Sequence, residues 1–406
     1  MKKIIYADHS ATTFVKDEVL KEMLPYFTEK YGNASSIYSI GRESKTAIEK
    51  ARNQVARAIE CENNELYFTA GGSESNNMII KGIAIANKDK GKHIITTKIE
   101  HLAVINTCKE LEKQGFDVTY LDVNESGIVS IDELKRSIRN DTILISVIFA
   151  NNEIGTIEPI EQIGKIAKDT GIIFHTDAVQ AIGNLKISVK ELNIDALSLS
   201  AHKFYGPKGV GAAYIKSGVK FETLIKGGHQ EFCKRAGTEN VPGIVGLGKA
   251  IEMANSDIAQ HSKKILDLRD LLITGIEHEI EDVKLNGDRI QRLCGNANFV
   301  IKNVDSQSLL LMLDMEGICA SSGSACNSGA VEPSHVLSAI GIPDEMATCS
   351  IRFTLGDENT KEDVDYIIRK LKILVNKIRD NINVQKNKIR DDIKVQNSKI
   401  NNCSCN

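Results

Sequence analysis

The sequence lacks three features that would assign it to a broad class. It has no apolar run of about eighteen residues, so we expect no membrane span. Neither charge is in excess, since 51 Lys and Arg face 54 Asp and Glu, and a net charge of −3 gives no general attraction to nucleic acid. The first residues, 1–8, turn acidic too early for a secretory signal peptide, which predicts a cytoplasmic location.

The nine cysteines are scattered along the sequence without paired spacing. This pattern is typical of neither a disulfide framework nor a metal motif. Without an export signal, free thiols in a reducing cytoplasm are the natural interpretation. We therefore expect any special cysteine to be reactive rather than cross-linked, and we predict no resident metal.

Short β-rich segments alternate with helical patterns between about residues 65 and 215. Strands are predicted at 66–69, 93–97, 118–121, 143–149, 172–175, 196–199 and 212–215, with helices such as 103–114 and 160–169 between them. This alternation predicts an α/β fold with a largely parallel sheet and helices on both faces. Ligands of such sheets bind at the carboxyl edge, where strands end and helices begin.

A different pattern follows the alternating region. Two helical stretches, at about 244–256 and 258–279, lead into shorter strands around 298–301 and 350–354. A further helix begins at about residue 361. We therefore predict a second, smaller α+β domain.

A glycine-rich segment, residues 69–77, follows one predicted strand and opens a helix. Glycines let the backbone approach an anion, and a helix N-terminus supplies free N–H groups and partial positive charge. The segment is suited to bind a phosphate group. Alone, it fits an ordinary glycine turn with a serine cap almost as well.

Asp177 ends another apolar strand, in the segment 172–180. An ionised carboxylate there is costly unless it meets a cation or several donors, and a pyridinium N–H would serve. The alternative is a helix cap, which is common for aspartate after a strand.

Lys203 follows the strand at 196–199, in "SAHKFYGPKGVG". A partly desolvated lysine is a nucleophile able to form a Schiff base, whereas most lysines lie on solvent-facing loops. A phosphate site, a buried Asp177 and Lys203, in this order, together fit pyridoxal 5′-phosphate. The coincidence of the three sites outweighs the separate alternatives.

The resemblance to a known family rests on nine motifs that occur in order over about residues 4–375. They are "YADHSATT" (6–13), "GGSESNN" (71–77), "EH" (100–101), "NNEIG" (151–155), "HTDAVQ" (175–180), "SAHKFYGPKGVG" (200–211), "RAGTEN" (235–240), "SSGSACNSGAVEPSHVL" (321–337) and "RFTLG" (352–356). Together they resemble the NifS/IscS-type cysteine desulfurases, of the class V aminotransferase family.

The resemblance implies PLP fold-type I, the aspartate aminotransferase-like architecture, and a homodimer with the cofactor near the subunit interface. A large cofactor-binding domain is expected over residues 15–257. Residues 1–14 and 258–376 are expected to form the small domain that carries the catalytic cysteine loop. Residues 377–406 form a repetitive basic tail, which we expect to be a poorly packed extension.

The resemblance also implies roles for the cofactor-site residues. Lys203 resembles the Schiff-base lysine and the Cα proton shuttle, Asp177 the partner of the ring nitrogen, and His101 the histidine that stacks on the ring and serves in acid–base steps. Asn152 and Gln180 resemble polar partners of the ring. The phosphate ligands implied are Gly72, Ser73, Ser200 and His202, with Thr238 from the other subunit.

For the substrate, Arg352 resembles the arginine that grips the carboxylate, with Asn152 beside it, although it could also be an ordinary strand-edge arginine. Cys326 lies in a run of small residues, 320–329, with no core-forming pattern. A thiolate can travel on such a loop, so Cys326 is the predicted sulfur acceptor. Cysteines in or beside predicted helices and strands are expected to be inert: Cys61, Cys108, Cys294 and Cys319.

The predicted function is that of a cysteine desulfurase, which converts L-cysteine to L-alanine and leaves the sulfur on Cys326 as a persulfide. Its acceptor could be an iron–sulfur scaffold, with Cys326 in transient contact with the partner's cluster, a tRNA-thiolation relay or several proteins. Alternatives are a selenocysteine lyase or an aminotransferase on the same scaffold, and a non-catalytic sulfur-relay or scaffold protein.

The tail repeats Lys-Ile-Arg-Asp at 377–380 and 388–391, a spacing of eleven. Such a period could form one weak apolar stripe on a basic helix. A docking arm for a sulfur acceptor, with Cys403 and Cys405 as a terminal thiol pair, is one interpretation. We favour a duplicated, solvated extension of the last helix, because Asn, Asp and β-branched residues form helices poorly.

Overall fold

The computed structural model describes residues 3–256, 258–322 and 333–381. Predictions for Cys326, Cys403 and Cys405 lie outside the described residues. The strands are β1 Ile5–Tyr6, β2 Leu66–Thr69, β3 His93–Thr97, β4 Asp117–Leu121, β5 Thr142–Ser146, β6 Ile173–Asp177, β7 Ala196–Ser200, β8 Gly211–Ile215, β9 Val283–Asn286, β10 Asn296–Ile301, β11 Ile318–Cys319 and β12 Ser350–Thr354.

The helices alternate with these strands, and two 3-10 turns occur at Asn63–Glu65 and Ala201–Lys203. The α-helices are α1 Asp17–Met23, α2 Pro25–Thr28, α3 Ser39–Ile59, α4 Gly72–Asn87, α5 Leu102–Lys113, α6 Ile131–Ser137, α7 Ile160–Thr170, α8 Gln230–Cys233, α9 Val241–Ser256, α10 Ile258–Glu279, α11 Ser306–Met315, α12 His335–Ala339 and α13 Asp344–Ala347. A last helix, α14, covers 361–381 of the described residues.

Seven strands form the main sheet, in the order β2-β8-β7-β6-β5-β3-β4. The pairs from β7 to β4 are parallel, and β8 runs antiparallel to β7 and β2. Most residues of the parallel strands are buried on both faces, because helices cover both sides of the sheet. The predicted α/β architecture with a mostly parallel sheet is confirmed.

The parallel direction brings several strand ends to one edge of the sheet. β2, β6 and β7 end there at Thr69, Asp177 and Ser200. Thr69 and Ser200 are each paired with Gly211, and Asp177 is paired with Ser198. The glycine-rich segment, the aspartate and the lysine turn are therefore neighbours.

Two strands of the main sheet end two or more residues away from the predicted position. The strand expected at 143–149 ends at Ser146, although the N–H groups of Val147 and Phe149 still donate to carbonyls of β6. The strand expected at 172–175 extends through Asp177, which lies in the sheet as its last residue.

A second apolar core lies around the antiparallel sheet β12-β10-β9 and the parallel pair of β1 with β11. Phe299 of β10 and Phe353 of β12 are fully buried there. β1 and β11 are about 310 positions apart, so two distant segments of the chain meet in this core. The predicted domain ranges 15–257, 1–14 and 258–376 fit these two cores and stay a prediction.

The predicted start of the tail at residue 377 needs a correction. Helix α14 continues through residue 381, and Ile378 packs in the second core. The Arg379 guanidinium donates to the backbone carbonyls of Glu281 and Lys302. Ile378 completes the buried face of α14, so the chain stays packed beyond the predicted boundary at residue 377.

Truncation after Asn381 should leave the free energy of unfolding unchanged. Truncation after Asn376 removes Ile378 and should lower the free energy of unfolding by about 1.5–3 kcal/mol, the cost of losing one buried aliphatic side chain. Thermal and denaturant melts of the two truncated proteins check this. An equal loss of stability in the longer protein would contradict the prediction.

Candidate active site

Ten of the predicted site residues line one cavity of about 1150 Å³ at the carboxyl edge of the main sheet. They are Gly72, Ser73, His101, Asn152, Asp177, Gln180, Ser200, His202, Lys203 and Arg352. Thr238 is not among the described residues that line it, and its predicted role from another subunit stays a prediction. The side chains that the sequence spreads over 280 positions therefore share one site.

The N-terminus of α4 forms one end of the cavity. Gly71 has φ +151°, in a region that favours glycine. A Cβ on Gly72 would lie 2.6 Å from Val179 Cγ2, so only glycine fits this close approach. The first N–H groups of a helix have no partner within it, and those of Gly72 and Ser73 belong to this turn beside Ser200. A phosphate group fits such a turn.

Asp177 lines the cavity and is 4% exposed. The backbone N–H of Val179 donates to Oδ1 at 3.0 Å, and Asn76 Nδ2 donates to Oδ2 at 2.6 Å. Two residues earlier in β6, His175 bridges Ser146 and Ser198, and burial lowers its pKa to about 3. The imidazole of His175, two residues before Asp177, is therefore neutral rather than cationic.

Lys203 lies in the 3-10 turn after β7. Its ammonium donates to the carbonyls of Ala11, at 2.8 Å, and Ser10. Gln180 Nε2 donates to the same Ser10 carbonyl at 3.0 Å. Burial, together with the charges of Lys203 and Lys208, lowers the pKa of His202 to about 4, so this imidazole is neutral near pH 7.

Arg352 of β12 is 3% exposed and brings a guanidinium into the cavity. It donates from Nη1 to the Asn152 carbonyl at 3.0 Å and from Nη2 to Asp8 Oδ1 at 2.8 Å. Its Nε has no hydrogen-bond partner in the described part of the chain. Asp8 Oδ2 in turn accepts a hydrogen bond from Ser321 Oγ at 2.7 Å.

Two buried carboxyl groups also line the cavity, Glu100 and Glu153. Burial raises the pKa of Glu153 to about 7 despite a hydrogen bond from Ser334 Oγ. Burial also raises the pKa of Glu100 well above its usual value, although Thr97 Oγ1 and the Ile148 N–H donate to it. Both groups therefore favour the neutral form more than exposed carboxyls do.

The sequence reasoning assigned no role to Asp8, Asn76, Glu100 and Glu153. All four lie within motifs that were recognised, namely "YADHSATT", "GGSESNN", "EH" and "NNEIG". A buried acidic or amide residue inside a functional motif was the available signal. Spacing alone did not show which neighbour each would contact.

The four cysteines expected to be inert have thiols whose pKa is raised by burial. Burial raises the pKa of Cys61 and of Cys108 to about 12, and it also raises the pKa of Cys294 and of Cys319. A thiol held in its protonated form is a poor nucleophile. These positions are thus unsuited to accept sulfur.

A family of known proteins matches most of this chain. The aminotransferase class-V family model matches residues 5–367. The chain belongs to this family. The predicted resemblance is thereby confirmed at the level of class V, whose members use pyridoxal 5′-phosphate, and the predicted cofactor is confirmed with it.

Curated class-V relatives carry a more specific name. The chain is 56% identical over 382 residues to cysteine desulfurase IscS of Clostridium botulinum strain Hall, covering 94% of this chain and 96% of the relative. It is 58% identical over 378 residues to cysteine desulfurase IscS of Methanosarcina thermophila, covering 93% of each. The predicted NifS/IscS-type resemblance is confirmed.

Solved structures agree with the predicted fold type. A NifS-like protein superposes with a TM-score of 0.87 at 38% identity, covering 92% of this chain and all of the other. A structure titled "SspA in complex with cysteine" superposes with a TM-score of 0.78 at 37% identity, covering 89% of this chain and all of the other. PLP fold-type I is thereby confirmed.

The residues present fit pyridoxal 5′-phosphate. The glycine turn at the start of α4 suits its phosphate, and the buried Asp177 carboxylate suits its ring nitrogen. Lys203 supplies an amine at the same edge of the sheet. In the described residues, no group of three or more His, Cys, Asp or Glu could hold a metal ion. No helix within the described ranges has both the length and the apolar character to cross a membrane.

Proposed function

We propose that this class-V enzyme is a cysteine desulfurase that converts L-cysteine to L-alanine and takes the sulfur onto Cys326 as a persulfide. The observation that carries the proposal is one cavity that holds Lys203, Asp177, the start of α4 and the buried Arg352. The names of the relatives support the same activity, and a cysteine-bound structure among the neighbours supports the substrate.

The cofactor would be held at three points of this chain. Gly72, Ser73, Ser200 and His202 would hold its phosphate, Asp177 would be the partner of its ring nitrogen, and Lys203 would supply the amine for its aldehyde. His101 would lie against the ring, and Asn152 and Gln180 would be its polar partners. Pyridoxal 5′-phosphate, when bound, supplies an electron-withdrawing ring that makes the substrate Cα proton removable.

Three side chains of the protein, Arg352, Lys203 and Cys326, act on the substrate in different ways. Arg352 pairs with the carboxylate of L-cysteine, because its guanidinium lines the cavity. Lys203 Nζ accepts the proton from Cα and later returns a proton. The Cys326 thiolate attacks the substrate sulfur: a sulfur–sulfur bond forms, the carbon–sulfur bond breaks with its electron pair remaining on the organic fragment, and protonation yields L-alanine.

The assembly and its partners follow from the same proposal. A homodimer would bring Thr238 of each subunit to the other's phosphate site. A cytoplasmic iron–sulfur scaffold or another sulfur-acceptor protein would take the persulfide sulfur from Cys326. Neither nucleic acid nor a membrane is needed for this reaction.

The activity test measures L-alanine and sulfide from L-cysteine in the presence of a thiol reductant. The proposal requires equal amounts of the two products. Transfer of the amino group to a 2-oxo acid, without sulfide, would identify an aminotransferase instead. Selective turnover of selenocysteine over cysteine would identify a selenocysteine lyase.

Asp8 is expected to affect substrate binding through Arg352. Asp8→Ala should raise KM for L-cysteine about tenfold, because a charged hydrogen bond that fixes the guanidinium is worth about 1.5–3 kcal/mol. Ser321→Ala is the matched control, since it removes the donor to Asp8 but leaves the Asp8–Arg352 pair in place. Steady-state kinetics at equal cofactor content check this, and an unchanged KM in Asp8→Ala would contradict it.

A further inference from the structure

Asn76 and Asp177 are 101 positions apart, and their side chains meet in the buried part of the site. Asn76 lies in the second turn of α4, the helix whose first turn begins with Gly72. Asn76 Nδ2 donates to Asp177 Oδ2 at 2.6 Å. One helix therefore presents its N-terminus to the phosphate position and an amide to the carboxylate.

This amide is costly unless it has a function at the site. Asn76 is 1% exposed, and its Oδ1 has no hydrogen-bond partner among the described residues. A buried, unsatisfied amide oxygen carries a desolvation penalty, and an apolar side chain of the same shape avoids it. The contact with Asp177 is thus the interaction that accounts for an amide at this position.

The effect on Asp177 is geometric. The backbone N–H of Val179 and the side-chain amide of Asn76 donate to one oxygen each, so the plane of the carboxylate is fixed. Hydrogen bonds weaken steeply when donor and acceptor are misaligned. A carboxylate of fixed orientation is therefore what a pyridinium N–H needs as its acceptor.

We propose that Asn76 is a positioning residue that orients the Asp177 carboxylate, and thereby sets how well Asp177 accepts the N–H of the cofactor's ring nitrogen. The inference rests on the proposed role of Asp177. Asn76 acts through that carboxylate, so its removal should weaken the Asp177 contact without removing it.

The test uses enzyme reconstituted with pyridoxal 5′-phosphate labelled with ¹⁵N in the ring. In Asn76→Leu the ¹⁵N resonance should move towards that of a neutral pyridine, and the dissociation constant of the cofactor should rise about tenfold, as expected for one charged hydrogen bond. Asn76→Ala is made in parallel, so that a folding failure of the leucine variant still leaves a result. Circular dichroism confirms that each variant is folded.

The control is Asn77→Leu, the same change at the next residue, whose Nδ2 donates to the Ser73 carbonyl of its own helix. It should keep the wild-type resonance. Asp177→Asn separates the inference from the proposal beneath it. If Asp177→Asn leaves the resonance unchanged, the role of Asp177 is wrong; if it moves the resonance and both Asn76 variants keep the wild-type signal, the positioning role of Asn76 is overturned.

Discussion

Lys203→Ala should abolish both cysteine turnover and the borohydride-reducible bond between protein and cofactor. The physical reason is position: Lys203 supplies the amine at the end of β7, in the same cavity as Asp177 and Arg352. The loss should exceed about a thousandfold, since removing the nucleophile and the proton carrier together removes two catalytic contributions. Visible absorption, borohydride reduction with peptide mapping, and alanine formation measure the effect.

Lys208→Ala is the matched control for this change. Lys208 lies five residues further along and donates to the Thr13 carbonyl at 3.1 Å, outside the residues that line the cavity. It should retain the reducible bond and turnover. A reducible bond that persists in Lys203→Ala would show that another lysine forms it.

Cys326→Ser should release no sulfide and carry no persulfide, while the substrate's Cα proton still exchanges with solvent. In the proposed mechanism the roles are separate, because Lys203 moves the proton and only a thiolate can take the sulfur. Deuterium incorporation into L-cysteine in D₂O measures the first step, and sulfide release with mass spectrometry of the protein measures the second. We expect near wild-type exchange and at least a hundredfold loss of sulfide, roughly the effect of removing a nucleophile.

Cys233→Ser is the control for that experiment, because Cys233 is an exposed thiol that the proposal does not use. Its sulfide release should match the unmodified enzyme. A persulfide found on Cys233 or Cys349 instead of Cys326 would contradict the assignment.

Helices and strands were predictable from the sequence where a single hydrophobic pattern indicated one kind of element. The strands at 66–69 and 350–354 and the helix at 258–279 were predicted with the bounds that the structure shows. The ends of β6 and of α14 were among those not predicted, because Asp177 resembles a loop or cap residue when its donors are unknown. Ile378 reads as part of a repeat when the core that receives it is unknown.

Site residues were predictable where they belong to a recognisable motif. The contacts that these residues make were not predictable. Arg352 and Asp8 are 344 positions apart, and local periodicity carries no information about a pair so distant. Asn76 reads as one of two adjacent asparagines in "GGSESNN". Only the structure shows that Asn76 meets Asp177 and that Asn77 binds its own helix.

The pairing of the start of the chain with its last quarter has a consequence for the order of folding. Asp8 is synthesised 344 residues before Arg352 and 313 residues before Ser321, the two residues that contact its carboxylate. Contacts of such long sequence separation form slowly. The main sheet can fold during synthesis, but the end of the cavity that contains Arg352, the proposed partner of the substrate carboxylate, cannot form until β11 and β12 have emerged. Newly made chains should therefore acquire cofactor affinity before they acquire affinity for the substrate.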